Sequence, residues 1–335
     1  MFEKVKLISL SSVLIIPTII IFKDYISNKL KLWDIPNNDI KIHKNKISTI
    51  GGLTIFLSII LFYLIDYFTI KNEKTSFAII SSLLLTLFFI TGLIDDKKNI
   101  SPVKKTIITF ALLLILIPLN NNLVLYDLKF ENLFNSSLNL NLASLFITVF
   151  FIYIFLNLLN FADGVNGVAI SLGIFFITVL GIERKEFLSS EIVVIITLLS
   201  LLFLNIQNKL FIGNSGCFVL GIYISLHYIY NYNLSNLILC DKIFIIFLIP
   251  GLDMTRLVVE RLCRSKSILY GDLEHLHHIL YKFFKQKYTW IVYILISIMP
   301  YASSFYIKKN IQIIILFSLI YLILIFTLRH RILKG

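Results

Sequence analysis

The sequence predicts an all-α, polytopic integral membrane protein of about ten to eleven transmembrane helices with its N-terminus outside. Three observations predict this. The 335 residues are 58% hydrophobic with a mean hydropathy of +0.87, where a soluble domain would be about half apolar. The apolar residues fall in long runs, and about 20 in a row suffice to cross the hydrocarbon core as a helix. Lysine and arginine sort to one side of those runs.

In chain order the runs cover residues 5–22, 50–70, 76–94, 106–119, 142–161, 164–182, 191–206, 216–232, 243–252 with extensions at both ends, 290–307 and 311–328. The first run has no small-x-small cleavage site after it and is flanked by Lys23, Asp24 and Tyr25, so it is expected to be a retained helix. The stretch 120–141 is rich in Asn and Leu and is expected to be an outer loop without chemistry. The longest inside segment, 253–289, is too short for a separate domain, and no internal repeat or low-complexity linker interrupts the chain. Residues 1–335 therefore read as a single transmembrane domain.

With the N-terminus outside, the inside segments are about 23–49, 95–105, 207–215, 253–289 and 329–335, plus a tight turn near Asp163. They carry 21 of the 31 Lys and Arg, the bias expected of cytoplasmic loops. The net charge of +12 then reflects those loops and anionic lipid headgroups, so nucleic acid is not implied. Cys217, Cys240 and Cys263 are odd in number and widely spaced, which argues against a disulfide framework or a cysteine metal site.

The polar residues cluster as the charges do. Asp95-Asp96, Asn160 with Asp163, Asn214 and His275–His278 all sit on inside segments or at their borders, where ionisable groups are costly and tend to be functional. The first group, Gly92 to Asp96 followed by Lys104-Lys105, offers two carboxylates that can attract Mg²⁺ or divide between proton-bound and ionised forms; a solvated helix end is the plainer reading. In the second, Asn157 to Ala169, a continuous helix would put Asn157, Asn160 and Gly164 on one face, and the amides opening the next helix suit phosphate. A simple inter-helix turn explains its glycines but not three Asn and an Asp in apolar surroundings. The third, Phe211 to Gly221, offers Asn214 as an oxygen ligand, or is any small-residue helix start. The fourth runs from Pro250 to Arg256, through Arg261, to Asp272 and on to His275, His277 and His278. Arginine and imidazole suit a diphosphate, while three histidines allow zinc or a purely structural role.

Taken in order, these motifs resemble the polyprenyl-phosphate N-acetylhexosamine-1-phosphate transferases, of glycosyltransferase family 4 type and closest in pattern to the undecaprenyl-phosphate GlcNAc-1-phosphate branch. The resemblance runs from Asp34 to His278. Its first motif is similar to Asp34-Ile35-Pro36-Asn37 with Lys41, His43 and Gly51-Gly52. The family's paired aspartates match Asp95-Asp96 with Lys105, its N-x-x-N-x-x-D-G-x-x-G matches Asn157 to Gly167, its G-D-x-G-S resembles Gly213 to Cys217, and its H-x-H-H is matched in full. The resemblance implies catalytic Asp95, Asp96 and Asp163, and Mg²⁺, or Mn²⁺ in its place, near Asn160 and Asn214. It implies Phe211 stacked on uracil with Asn166 at its edge, phosphates gripped by His275, His277 and His278, and further substrate contacts from Asn157, Lys105, Arg261 and a lysine at 44 or 46. Asn stands at 214 and 166 where the family usually has Asp, and Cys217 where it has Ser. The arginines expected before His43 and after Asp272 are missing. Asn214 keeps a carbonyl ligand but loses a charge, which lowers metal affinity.

The expected enzyme is a phospho-N-acetylhexosamine transferase, one of the transferases of substituted phosphate groups. It takes a UDP-N-acetylhexosamine such as UDP-N-acetylglucosamine, releases UMP and leaves the sugar on a polyprenyl (undecaprenyl) diphosphate. This would be the first membrane step of a cell-envelope polysaccharide, at the cytoplasmic face of the plasma membrane. The inside loop ending in the histidines looks more like the sugar-nucleotide branch than the pentapeptide one. Expected partners are that donor, the polyprenyl phosphate, the membrane and, since family members can be dimers, a second copy. The rivals are a catalytically weakened polyprenyl-lipid-binding relative, kept open by Asn214, and a secondary transporter, whose site would lie near the bilayer midplane.

Overall fold

A computed structural model describes residues 15–36, 45–69, 75–131, 137–235, 238–265, 267, 273–284 and 286–334. It is a bundle of helices with two short antiparallel hairpins. The helices are α1 (Ile15–Ile21), α2 (Lys23–Leu30), α3 (Gly51–Thr69), α4 (Thr75–Lys98), α5 (Pro102–Leu116), α6 (Ser144–Ala162), α7 (Val168–Arg184), α8 (Ser189–Asn205), α9 (Gly213–Ser235), α10 (Cys240–Ile246), α11 (Leu248–Cys263), α12 (Leu276–Phe283), α13 (Gln286–Ser303) and α14 (Asn310–Lys334). Segments 51–68, 76–98, 102–119, 141–162 and 310–332, in α3, α4, α5, α6 and α14, are long and apolar enough to cross a membrane on length and composition alone. The chain is an all-α polytopic membrane protein.

Helix α9 is the hub. It packs against α3, α4 and α6 and is buried nearly all round from Ser215 to Ile229, which explains why its sequence shows no polar stripe. Small residues let it approach its neighbours. A Cβ added at Gly52 would lie 2.5 Å from the Gly216 nitrogen, and one at Gly92 would lie 2.7 Å from the Ser215 nitrogen. With lipid outside and protein inside equally apolar, such close backbone packing is what holds helices together. Gly92→Ala is accordingly expected to push α4 from α9 and to cost about 1–3 kcal/mol. A drop in the thermal unfolding midpoint in detergent measures it; an unchanged midpoint would contradict this packing.

The run at 243–252 does extend at both ends, but as two helices. α10 and α11 break at Phe247. Pro250 has no N–H to give the Ile246 carbonyl, so the hydrogen-bond ladder cannot pass through. The 120–141 stretch holds a hairpin: β3 (Asp127–Lys129) pairs with β4 (Ser137–Asn139). The segment between α2 and α3 holds a second hairpin, β1 (Trp33–Asp34) with β2 (Ile47–Ser48). From β2, Ser48 and Gly51 continue the pairing onto the link between α8 and α9: Phe211 N–H donates to the Ser48 carbonyl (2.8 Å) and Gly51 N–H to the Phe211 carbonyl (3.1 Å).

Candidate active site

One end of the bundle gathers the end of α4, the start of α5, the α6–α7 turn, the start of α9 and the helix α12. The two adjacent aspartates do different things there. Asp96 accepts hydrogen bonds from Asn214 N (2.8 Å), Ser215 N (3.1 Å) and Ser215 Oγ (2.8 Å), so it caps α9, whose first N–H groups have no partner within the helix. Gly213 makes room: its φ is +66°, and a Cβ there would lie 2.9 Å from Asp96 Oδ2. Asp95 is 3% exposed, accepts from Ile100 N (2.8 Å) and pairs with the Lys105 ammonium, which also lies over the Phe218 ring.

Helix α6 ends at Ala162 rather than running on, so Asn157 and Asn160 share its last turns while Gly164 sits in the turn beyond. Asn157 bonds back to the Tyr153 carbonyl (2.8 Å). Asn166 spends both amide hydrogens on the Asn205 carbonyl (2.9 Å) and Asn208 Oδ1 (2.7 Å), which leaves its carbonyl oxygen as the acceptor. Asn205 Oδ1 accepts from Gly167 N (2.6 Å) and Asn205 Nδ2 donates to the Leu210 carbonyl (2.9 Å). Asn205 thus ties the turn to the strand-like link that carries Phe211, a role that a lone Asn at a helix end does not announce.

Asp163 lies in that turn. Burial pushes its carboxyl up to about 8, and the charges of Asp96 and Asp34 push the same way, against a hydrogen bond from the Cys217 thiol. Cys217 is wholly buried. The histidines reach the same turn: a Cβ at Gly164 would lie 2.5 Å from His278 Nε2 and 2.8 Å from His277 Nε2. Neither ring nitrogen of His277 has a hydrogen-bond partner among the described residues. Its burial, then the neighbouring His278 and His275, hold it well below the usual imidazole range, so it is neutral. His275 stacks near His277, with ring centroids 5.3 Å apart, and tilts over Phe161.

Thus Asp95, Asp96, Asp163, Asn214, Lys105, His277 and His278 come to one end, as their clustering predicts. Among the described residues no group of three His, Cys, Asp or Glu is placed to hold a metal ion. Arg261 is 5% exposed; Arg256, not singled out as a site residue from sequence, donates to the Glu274 carbonyl beside the histidines and to Asp253. Asn37, Lys41, His43, Lys44 and Asp272 lie outside the described residues.

Beside this end a cavity of about 720 Å³ opens between α6, α9, α10, α11 and α14, walled by Phe151, Phe155, Phe244, Phe247, Leu248 and Ile314 among others. A second, water-sized cavity is lined by Asp253, His275, His277 and Tyr293, and shares Leu158 and Met254 with the large one.

The family model for glycosyl transferase family 4 matches residues 78–231, from α4 to α9. A probable undecaprenyl-phosphate N-acetylglucosaminyl 1-phosphate transferase of Bacillus subtilis (strain 168) is 25% identical over 328 residues, 96% of this chain and 88% of the relative. Over residues 78–231 the chain is thus similar to glycosyltransferase family 4. An undecaprenyl-phosphate alpha-N-acetylglucosaminyl 1-phosphate transferase of Escherichia coli O157:H7 is 25% identical over 77% of this chain and 71% of its own. A phospho-N-acetylmuramoyl-pentapeptide-transferase of Staphylococcus haemolyticus (strain JCSC1435) is 31% identical over 59% and 66%. The family match takes in the paired aspartates, the Asn157–Gly167 turn and the start of α9, and stops before the histidines.

Proposed function

We propose that this protein transfers an N-acetylhexosamine-1-phosphate from a UDP-sugar to a polyprenyl phosphate, at the cytoplasmic face of the plasma membrane. The observation that carries the reading is the meeting of Asp163, Cys217, Gly164 and the His277–His278 pair beside a large apolar cavity. A polar phosphate-handling end joined to an isoprenoid-sized apolar space suits a substrate that is half lipid. The named activities of the Bacillus and Escherichia relatives support it.

The donor arrives from water with uracil on Phe211 and its edge at the Asn166 carbonyl. The lipid lies in the cavity with its phosphate toward His275–His278. A lipid phosphate oxygen forms a bond to the β-phosphorus as the bond from that phosphorus to the UMP oxygen breaks, and UMP leaves with the electron pair. Asp163 takes the proton of the incoming phosphate. Lys105, held by Asp95, offsets charge at the reacting phosphates. Positioning and charge stabilisation dominate such a transfer. The amide oxygens of Asn160 and Asn214 with the Asp163 carboxylate are hard oxygen donors of the kind Mg²⁺ prefers, so the residues present fit that ion. With a single carboxylate among the three, affinity depends on the substrate's own diphosphate. The ion would neutralise charge on the diphosphate when bound.

Detergent-solubilised protein with Mg²⁺, polyprenyl phosphate and labelled UDP-GlcNAc tests this. UMP release matched by labelled lipid is the expected result; lipid binding without turnover, or vesicle uptake without chemistry, would replace the reading with one of its rivals. Within it, Phe151→Trp fills part of the cavity and is expected to raise KM for the lipid several-fold at unchanged KM for the UDP-sugar. Equal changes in both would unseat the cavity as the lipid's place.

A further inference from the structure

Asp253, on α11, is 2% exposed and faces the histidine segment. Its Oδ2 sits 2.9 Å from His275 Nδ1. Its Oδ1 accepts from Leu276 N (3.0 Å), Tyr321 OH (2.9 Å) and Arg256 NH2 (3.0 Å). A carboxyl group ringed by donors on both oxygens has no room for its own proton, so it stands as a carboxylate. Its partner on Oδ2 must then bring the hydrogen, which places the His275 proton on Nδ1.

The surroundings brace this pair. Arg256 also donates to the Glu274 carbonyl (2.7 Å) and to Glu260 Oε1 (2.8 Å). From α14, Arg329 donates to Glu260 (2.9 and 3.0 Å) and to Glu274 Oε2 (3.1 Å). Helix α11 therefore holds the backbone on both sides of His275, at the Glu274 carbonyl and at Leu276 N, and the C-terminal helix braces it through the side chains of Asp253, Glu260 and Glu274. The other titratable rings facing it are His277 and, across the small cavity, Tyr293. That cavity is the junction between the histidines and the large apolar space, through Leu158 and Met254.

We propose that Asp253 is a positioning residue that fixes His275 in one orientation and one tautomer, with Nδ1–H on the carboxylate and Nε2 left as the acceptor toward a lipid phosphate monoester. The inference rests on the function proposed above for the identity of the monoester, and on geometry alone for the tautomer. A neutral ring with Nε2 bare accepts from a protonated phosphate; the opposite tautomer donates instead, and selects a different ionisation state of the lipid headgroup.

The test uses full-length protein with ¹⁵N-labelled histidine, the His275 signals assigned by their loss in His275→Gln. In the neutral wild-type ring, Nδ1 should read as protonated and Nε2 as bare. Asp253→Asn presents an amide donor to Nδ1 and should reverse the two. Its kcat should fall about 10- to 100-fold, with KM for the UDP-sugar unchanged and the acid limb of the pH profile displaced. Tyr321→Phe, which removes one donor from Asp253 and buries no charge, covers the case in which Asp253→Asn does not fold. It should make the carboxylate a stronger acceptor for Nδ1–H and move the His275 Nδ1 proton signal downfield. A wild-type ring with Nε2 protonated overturns the proposal. So does a folded Asp253→Asn with wild-type kcat and pH profile, or a folded Tyr321→Phe with an unmoved His275 Nδ1 proton signal. If wild-type protein fails to transfer sugar phosphate, the function falls, while the nitrogen signals still decide the tautomer.

Discussion

Asp163→Asn is expected to lower transfer by about 10²–10⁴-fold, the contribution of a well-placed acid–base group, and at the same time to make the metal-free protein more stable at pH 8. The two effects have one cause. Burial and the charge of Asp96 raise the Asp163 carboxyl to about 8, so the folded protein holds this proton far more tightly than the unfolded chain, whose carboxyl titrates near 4. Because the folded pKa is the higher one, the stability linked to this proton is complete below about pH 4 and is lost as pH rises toward 8. Asn carries no such proton and loses nothing over that window. The gain should therefore be absent at pH 4 and reach about 1–2 kcal/mol at pH 8, a value reduced for solvent screening at a partly exposed turn. Thermal unfolding of both proteins in detergent without divalent metal, at pH 4.5 and 8, reads it. Equal midpoint shifts at the two pH values would mean the carboxyl is not perturbed; full activity would remove Asp163 from the chemistry. Wild-type turnover should rise with pH as the carboxylate forms.

The parts of this architecture visible in sequence are those with a local signal. Hydropathy marks α3 to α9 because each is one long apolar run. The clustering of Asp95, Asp163 and Asn214 shows in the sequence because each sits at whichever end of its run meets an inside segment, and His277 lies within such a segment. What was hidden is tertiary. The break at Phe247 follows from Pro250, but a proline near the end of a run reads equally as a helix end or as a kink. The hairpins have strands of two and three residues, too short for any alternation to show. Asn205 and Asp253 each act across the fold: Asp253 reaches Tyr321, 68 residues on, and His275, 22 residues on. Neither separation leaves a pattern in the chain. The C-terminal helix shows the same limit, since α14 reads as a plain lipid-facing span and its Tyr321 and Arg329 look like incidental polar residues.

The paired aspartates show how far residue type alone misleads, and their separation gives the second large effect. Asp96→Ala is expected to destabilise the protein by about 2–4 kcal/mol and to abolish transfer, because it strips three hydrogen bonds from the start of α9 and leaves the N–H groups of half-buried Asn214 and buried Ser215 without these partners. Asp95→Ala should leave α9 in place and cost activity chiefly by freeing Lys105, whose ammonium it pairs. Asp96→Asn separates cap from charge. Its side-chain oxygen can accept only part of what two carboxylate oxygens take, so stability should recover by about half and activity only where Asn214 is held in register. A carboxylate that reacts would give the reverse: Asp96→Asn folded as wild type and inactive. Unfolding midpoints with turnover for the three variants separate these outcomes. Wild-type stability of Asp96→Ala would mean that α9 does not depend on its cap. The paired carboxylates would then be one chemical unit, as residue type suggests, rather than one anchor and one ion-pair partner, as their hydrogen bonds require.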